Sequence, residues 1–202
     1  MIAVIDYGVG NLFSLTHSLK KIGAESVVTN NFNTIKNADK LILPGVGAFG
    51  DAAQKLKKDG LDELIIEQCN QGKPLLGICL GMQLLFDKSF EYGEHKGLGL
   101  ISGEVLPLKD FVSGLKIPHM GWNSLKIYDD NPLFNETNQG DYVYFVHSFF
   151  AKCKEGLSAT CDYGIEVTAA VRKDNVFGMQ FHPEKSGEVG LKMLKQFDLY
   201  LG

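Results

Sequence analysis

The sequence lacks the marks of several large protein classes. Its four cysteines form no Cys-x-x-Cys pair and no cysteine–histidine spacing typical of zinc, so we expect free thiols and no metal site. No run approaches the roughly 18 consecutive apolar residues that a membrane-spanning helix needs. Residues 1–5 lack the basic flank and the long apolar core of a signal peptide. These absences predict a cytoplasmic protein with no membrane segment.

The sequence also lacks an excess of basic residues. The chain has 20 Lys and Arg against 24 Asp and Glu, a net charge of −4, and its lysines are scattered. A nucleic-acid surface needs basic side chains massed on one face. We therefore expect no nucleic-acid partner.

Repeats, linkers and low-complexity segments are missing as well. The composition, 45% apolar and 22% charged, is ordinary for a globular protein. A chain of 202 residues can bury roughly 70% of the surface that its unfolded form exposes. We expect one domain over residues 1–202.

Short apolar runs alternate with helical patterns through the first half of the chain. The runs predict strands at residues 2–5, 26–29, 40–43 and 74–78. Apolar residues at helical spacing predict helices over residues 12–22 and over residues 48–69, the latter interrupted near Gly60. This order is typical of a doubly wound α/β fold, in which ligands bind beyond the carboxyl ends of the strands. The loops after Leu43 and Ile78 are therefore the places to look for a site.

The second half is richer in closely spaced strands. We expect strands at residues 103–108, 122–127, 142–146, 157–161, 166–172 and 176–181. A last helix over residues 189–201 is expected to turn Leu191, Leu194 and Phe197 toward the core. The predicted fold is α/β, with an open mixed, mostly parallel central sheet flanked by helices and with antiparallel strands added in the C-terminal half.

A possible nucleophile follows the strand at residues 74–78. Residues 77–81 read Gly-Ile-Cys-Leu-Gly, the Gly-x-nucleophile-x-Gly elbow with Cys79 in the nucleophile position. The flanking glycines allow a sharp turn into a helix starting near Met82, and a helix N-terminus favours the thiolate. The N–H of Leu80 would then meet an oxyanion. On this pentapeptide alone, a buried structural cysteine remains an equal alternative.

A base and an orienting acid occur together at residues 182–184, His-Pro-Glu. In an extended segment, His182 and Glu184 would project to the same side. A surface turn is the alternative for this tripeptide alone, but the elbow in the same chain favours catalysis.

The loop at residues 44–47, Pro-Gly-Val-Gly, directly follows a predicted strand. Its glycines would let backbone N–H groups approach a developing negative charge. A phosphate cradle is less well supported, because the loop lacks the Gly-Lys-Ser/Thr ending of a P-loop. A plain structural turn remains open.

Two of these motifs together, Gly-Ile-Cys-Leu-Gly-Met-Gln at residues 77–83 and His-Pro-Glu at residues 182–184, resemble the class I, or triad, glutamine amidotransferases. Segments at residues 6–11, 43–50, 117–123 and 144–148 resemble one branch of that family, whose members supply ammonia to a cyclase of histidine biosynthesis. The resemblance spans essentially the whole chain. It implies a glutaminase that needs no cofactor.

The resemblance also implies a role for each matched residue. Cys79 would attack the glutamine carboxamide, His182 would take the thiol proton and later protonate ammonia, and Glu184 would hold the imidazole. The implied substrate-binding residues are Gly45, Val46, Gly47 and Leu80 at the oxyanion, Gln83 on the substrate, and the backbone of His147, Ser148 and Phe149 at the α-carboxylate. Phe149 stands where the family often has Tyr, which puts any hydroxyl contact there in doubt.

The implied partner is a separate cyclase subunit with a (β/α)8 barrel, since such a barrel usually needs about 250 residues of its own. Met120, Trp122 and Asn123 match a segment that faces this partner in the family, although packing in the core is an alternative for Trp122. Other interpretations are a different triad amidotransferase subunit, such as that of pyridoxal phosphate synthase, a catalytically inactive assembly subunit, and a cysteine peptidase.

Overall fold

The computed structural model describes residues 1–200. Six α-helices occur in this range: α1 (Leu12–Lys21), α2 (Phe32–Asn37), α3 (Phe49–Lys58), α4 (Leu61–Asn70), α5 (Leu80–Leu84) and α6 (Gly187–Leu199). The strands of the same range are β1 (Ile2–Ile5), β2 (Ser26–Thr29), β3 (Lys40–Leu43), β4 (Leu75–Ile78), β5 (Phe86–Ser89), β6 (His95–Lys96), β7 (Ile101–Pro107), β8 (His119–Ser124), β9 (Lys126–Ile127), β10 (Tyr142–His147), β11 (Phe149–Cys153), β12 (Leu157–Asp162), β13 (Glu166–Lys173) and β14 (Val176–Met179).

The central sheet has eight strands in the order β2-β1-β3-β4-β14-β13-β12-β9. The first five pair in parallel, and β13, β12 and β9 continue the sheet antiparallel. Because β4 and β14 are parallel neighbours, their carboxyl ends meet at one edge. This is the predicted mixed, mostly parallel sheet with antiparallel strands added from the second half.

Both faces of the sheet are covered. Successive strand residues point to opposite faces, so Ile42 joins the core cluster that contains residues of α1 and α6, whereas Leu41 and Leu43 join the cluster that contains residues of α3, α4 and α5. A strand buried on both faces reads as a continuous apolar run, which explains why β1, β3 and β4 were predictable.

Two smaller sheets are separate from the hydrogen-bonded ladder of the central sheet. β8 and β10 form an antiparallel pair, and β11, β7, β5 and β6 form a four-stranded sheet. The sequence patterns predicted none of β5, β6, β11 and α2. No helix within residues 1–200 is long and apolar enough to cross a membrane.

Several predicted boundaries need correction. The helix after the elbow begins at Leu80 rather than near Met82. The strand expected over residues 122–127 is two strands, because the ladder breaks at the buried Leu125. In α6, Leu194 and Phe197 are buried as expected, but Met193 is buried and Leu191 only partly so. The predicted end of that helix at residue 201 lies outside the described residues.

Candidate active site

Cys79 occupies the turn between β4 and α5 with φ 56° and ψ −110°. Two glycines make this turn possible. A Cβ on Gly77 would lie 2.7 Å from the carbonyl oxygen of Gly81, and one on Gly81 would lie 1.8 Å from that of Leu43. Since real Cβ atoms do not come so close to backbone oxygens, only glycine fits at either position. The predicted elbow is therefore present, and both of its glycines are sterically required.

The register of the central sheet brings the His-Pro-Glu segment beside this elbow. Met179 at the end of β14 pairs with Ile78 at the end of β4, and the Cys79 N–H donates to the Met179 carbonyl at 2.7 Å. Three residues beyond Met179, His182 lines the same cavity as Cys79. Residues far apart in sequence thus meet at the carboxyl edge of the sheet.

His182 and Glu184 form a buried pair. The distance from His182 Nδ1 to Glu184 Oε1 is 2.8 Å, and the two side chains are 3% and 4% exposed. A carboxylate at Nδ1 favours a proton on that nitrogen. Within residues 1–200, Nε2 has no hydrogen-bond partner, so this nitrogen is free to accept a proton.

The charge balance around His182 favours the imidazolium. Burial by itself lowers the pKa of His182, but the neighbouring Cys79 sulfur and Glu184 carboxylate outweigh burial and raise that pKa to about 10. The ring is therefore a strong acceptor for the thiol proton.

The backbone is extended at His182 but not at Glu184, in contrast to the prediction of an extended segment through both residues. Pro183–Lys185 form a 3₁₀ turn, because the fixed φ of proline suits the first position of such a turn. The Ser186 hydroxyl donates to the His182 carbonyl at 2.6 Å and accepts the Tyr144 N–H at 3.0 Å. The two side chains meet through this turn rather than by strand alternation.

The glycine-rich loop after β3 is fixed at its start and again at the beginning of α3, and it is most exposed between these two points. The Tyr7 hydroxyl donates to the Pro44 carbonyl at 2.6 Å, and burial keeps the Tyr7 pKa well above its ordinary value. A Cβ on Gly45 would lie 2.7 Å from that hydroxyl oxygen, so Gly45 is closely packed. Val46 is 42% exposed, and Gly47 has φ 98°. Freedom to rearrange is therefore concentrated at Val46 and Gly47.

A cavity of about 420 Å³ collects most of the predicted site residues. Those that line it are Val46, Gly47, Cys79, Leu80, Gln83, His147, Ser148, Phe149 and His182. Gly45 and Glu184 do not line it. This volume lies in the usual range for a small-molecule pocket.

The side-chain amide nitrogen of Gln83 is hydrogen-bonded to other residues of the protein. Nε2 donates to the Phe149 carbonyl at 3.0 Å and to Gln180 Oε1 at 2.9 Å. Both N–H bonds are then used, which leaves Oε1 as the polar atom of Gln83 available to a ligand. A substrate contact by the Gln83 side chain would therefore use this acceptor oxygen.

The His147 side chain faces the protein in a chain of hydrogen bonds. Its Nδ1 lies 2.8 Å from the Phe149 carbonyl, which can only accept, so Nδ1 carries the proton. Its Nε2 must then accept from His119 Nδ1 at 3.0 Å, and His119 Nε2 lies 3.3 Å from Asn123 Nδ2. Burial lowers the pKa of His147 to about 3 and that of His119 to about 4. Both rings are neutral.

Glu91 is a cavity residue that the sequence did not reveal. Its carboxylate accepts the Phe49 N–H at 2.7 Å, and burial raises its pKa despite this bond. Pro118 and Val146 also line the cavity, although no sequence motif assigns them a role. No motif marks Glu91 either, and an acidic residue between Phe90 and Tyr92 was the only signal.

The segment expected to face a partner is largely exposed. Met120 is 64% and Trp122 is 54% exposed on β8, so core packing is the wrong interpretation for Trp122. Asn123 instead donates to the Asp162 carbonyl at 2.7 Å and has a structural role.

Comparison with known proteins agrees with this geometry. Residues 3–199 match the family Glutamine amidotransferase class-I. The imidazole glycerol phosphate synthase subunit HisH of Caldanaerobacter subterraneus subsp. tengcongensis is 53% identical, over 98% of this chain and 97% of that protein. The protein of the same name from Bacillus cereus (strain B4264) is 52% identical, over 98% of this chain and 93% of that protein.

A solved structure shows the same fold at lower identity. The structure described as PurLQS from Thermotoga maritima has a TM-score of 0.76 and 23% identity, covering all of this chain (100%) and 98% of its own. Since the family match spans nearly the whole sequence, this chain belongs to the class I glutamine amidotransferases.

Proposed function

We propose that this chain is the glutaminase subunit of imidazole glycerol phosphate synthase. It hydrolyses glutamine to glutamate and ammonia through a thioester on Cys79, in the cytoplasm. The ammonia passes to a cyclase subunit that makes imidazole glycerol phosphate and aminoimidazole carboxamide ribonucleotide. The observation that carries this proposal is the placement of Cys79 and His182 on one cavity, in a chain about half identical to the HisH subunits.

The chemistry begins with transfer of the Cys79 thiol proton to His182 Nε2. The sulfur attacks the carboxamide carbon of glutamine, and the resulting tetrahedral adduct collapses as the imidazolium protonates the departing ammonia. Water, deprotonated by the same ring, then cleaves the thioester and releases glutamate. Glu184 keeps Nδ1 protonated and the ring oriented, as its 2.8 Å contact supports.

Two sources of N–H groups serve the oxyanion. One is Leu80, the first residue of α5, whose N–H has no partner inside the helix. The other is the exposed part of the glycine-rich loop, Val46 and Gly47. Because Tyr7 anchors the start of this loop at Pro44, a switch between resting and active forms needs only these two residues to turn.

The rest of the cavity can hold the amino acid end of glutamine. Ser148 lies between β10 and β11, outside both strands, so its N–H is available to the α-carboxylate together with backbone of His147 and Phe149. Glu91 supplies a carboxylate for the α-ammonium group, and Gln83 Oε1 supplies a further acceptor. Glutamine carries both an α-carboxylate and an α-ammonium group, and in a partly buried site each charge needs a hydrogen-bonding or charged partner.

The cyclase partner docks on the β8–β10 face, and it has a (β/α)8 barrel. Exposed apolar side chains on this face include Met120, Trp122 and Tyr142, the last 58% exposed. Such a contiguous exposed apolar surface is typical of a protein interface. Pro118, which directly precedes β8, lines the active-site cavity, so a partner on this face is close to the released ammonia.

The test is a coupled assay with purified cyclase, glutamine and the phosphorylated ribulosyl nucleotide that the cyclase uses. We expect glutamine-dependent product from the wild-type pair and none from Cys79→Ser, because only the nucleophile is lost. Cys153→Ser is the matched control and should retain activity, since Cys153 lies in β11 and does not line the cavity.

Partner control is measured in the same assay. Losing one oxyanion donor costs about 3 to 4 kcal/mol, so the lone subunit should turn over about 100- to 1,000-fold more slowly than the complex. Equal turnover with and without the cyclase would contradict the loop switch. Activation by pyridoxal phosphate synthase and not by the cyclase would contradict the assigned pathway.

A further inference from the structure

We propose that Gln180 is a positioning residue for the nucleophile: its side-chain amide donates an N–H to the Cys79 sulfur. The proposal deepens the glutaminase function and rests on it. Gln180 directly follows β14 and is fully buried, at 0% exposure. Its Nε2 lies 3.8 Å from Cys79 Sγ, a distance at which an N–H can donate to sulfur.

The backbone of Gln180 fixes where its side chain starts. Its N–H donates to the Ala169 carbonyl on β13 at 2.8 Å. Gln180 therefore extends the pairing of β14 with β13 by one residue beyond the strand, and its side chain starts from a rigid position next to the elbow. A positioning contact needs such support, because a loosely held amide would not maintain one orientation.

The orientation of the Gln180 amide follows from its neighbours. The Phe149 carbonyl can only accept, so the Gln83 group facing it must be the NH₂ group. That NH₂ group also meets Gln180, so the Gln180 atom at this contact must be its acceptor oxygen. The Gln180 NH₂ group then faces Cys79 by necessity.

The chain of bonds is anchored at its far end. The Phe149 carbonyl also accepts from His147 Nδ1 at 2.8 Å, and His147 accepts from His119 at 3.0 Å. His119 is held by stacking on Phe145 and Tyr163, with ring centroids 4.8 and 4.0 Å away. These partners fix which end of the Gln83 and Gln180 amides is the NH₂ group.

The Cys79 sulfur also lies near a backbone carbonyl oxygen, and this is why an N–H donor from Gln180 matters for the charge on the sulfur. The Val146 carbonyl oxygen lies 3.9 Å from Cys79 Sγ, a contact that suits a thiol proton but repels a thiolate. When the proton moves to His182, Gln180 offers a hydrogen bond that becomes charge-assisted and hence stronger. Gln180 thus favours the thiolate and holds the sulfur near the ring.

The experiment measures how pH controls Cys79 alkylation in the free chain. Gln180→Met removes the N–H at similar size, and Gln180→Glu keeps the oxygen for Gln83 but places an acceptor beside the sulfur. Iodoacetamide labelling is followed by mass spectrometry of the peptide that contains Cys79. Gln68→Met, at a buried glutamine in α4 away from the cavity, is the matched control.

We expect the pH of half-maximal alkylation to rise by about one unit in Gln180→Met and further in Gln180→Glu, with no change in Gln68→Met. In the coupled assay, kcat of Gln180→Glu should fall about 10- to 100-fold, with KM for glutamine changed less than about threefold, because this variant keeps the oxygen that holds Gln83 and alters only the contact with the sulfur. Gln68→Met measures how far a lost buried amide shifts the alkylation midpoint through packing alone.

Unchanged alkylation in both Gln180 variants would overturn the proposal, whichever synthase the chain serves. If Gln180→Met does not fold, judged by circular dichroism, the alkylation midpoint of Gln180→Glu decides the question alone. Because labelling needs neither glutamine nor a cyclase, it also separates this proposal from the glutaminase function. An inactive wild type with a Gln180-dependent alkylation midpoint would reject the function and keep the contact.

Discussion

The elbow conformation of Cys79 predicts an unusual response to glycine. At φ 56° and ψ −110° the residue lies outside the region that L-residues normally occupy, and such strain costs about 1 to 3 kcal/mol. Alanine keeps the Cβ that causes the strain, whereas glycine removes it. Comparing Cys79→Gly with Cys79→Ala therefore isolates the strain, because the sulfur is lost in both variants.

A matched pair at Cys161 supplies the reference. Cys161 is 1% exposed in β12 and Cys79 is 7% exposed, so both sites are buried. In a strand, glycine is less stable than alanine by roughly 1 to 2 kcal/mol, from added chain entropy and a lost buried methyl group. At residue 79, the stability lost on replacing alanine with glycine should be smaller than in the strand, because glycine relieves a strain of about 1 to 3 kcal/mol. Cys79→Gly should then lie between about 1 kcal/mol less stable and about 2 kcal/mol more stable than Cys79→Ala.

Urea unfolding of the four variants gives each free energy of unfolding by linear extrapolation. Both variants at residue 79 should be inactive toward glutamine, which shows that stability and function diverge at this position. An alanine-to-glycine penalty at residue 79 as large as that at residue 161 would refute the reasoning, because the elbow would then store no strain.

Three further substitutions probe other parts of the site. Glu184→Gln should lower kcat by about 10³- to 10⁴-fold, as loss of the orienting acid does in a serine triad, and should lower the pKa of His182; a kcat near wild type would remove Glu184 from the triad. Glu91→Gln should raise KM for glutamine about 10- to 100-fold with kcat little changed, and an unaltered KM would show that Glu91 does not bind the ammonium group. His119 has its folded pKa lowered to about 4, so between pH 6.5 and 4 the unfolded chain binds the extra proton and stability falls as pH falls. His119→Gln should reduce that fall by about 1.4 kcal/mol per pH unit in urea titrations at pH 6 and 5, and an identical slope would contradict a neutral His119.

Much of the parallel half of the fold was readable because β1, β3 and β4 are almost wholly buried and their sequences are nearly continuous apolar runs. β1, β2 and β3 have the predicted bounds, although β2 is an edge strand in which no residue is fully buried. β5 was missed because Phe86–Ser89 carries polar residues directly after a helix. α2 was missed because its six residues carry little periodicity. Its start is marked by Asn31, whose side-chain oxygen accepts the Thr34 N–H at 3.1 Å.

In the active site, the residues that could be predicted are those whose chemistry is local. Cys79 stands between glycines that the elbow requires, and His182 and Glu184 are adjacent to one proline, so short motifs mark all three. Glu91 and Gln180 carry no such mark. Their placement depends on tertiary contacts, Glu91 with Phe49 across 42 residues and Gln180 with Gln83 across 97. Such partners appear only once the strands are aligned.

Labelling with the glutamine analogue diazo-oxo-norleucine, in the presence of the cyclase, tests the central claim most directly. Peptide mass spectrometry should find one adduct, on Cys79 and not on Cys69, Cys153 or Cys161, and glutamine hydrolysis should disappear in step with its formation. Hydrolysis that persists in a chain fully labelled at Cys79 would contradict a thioester on that sulfur.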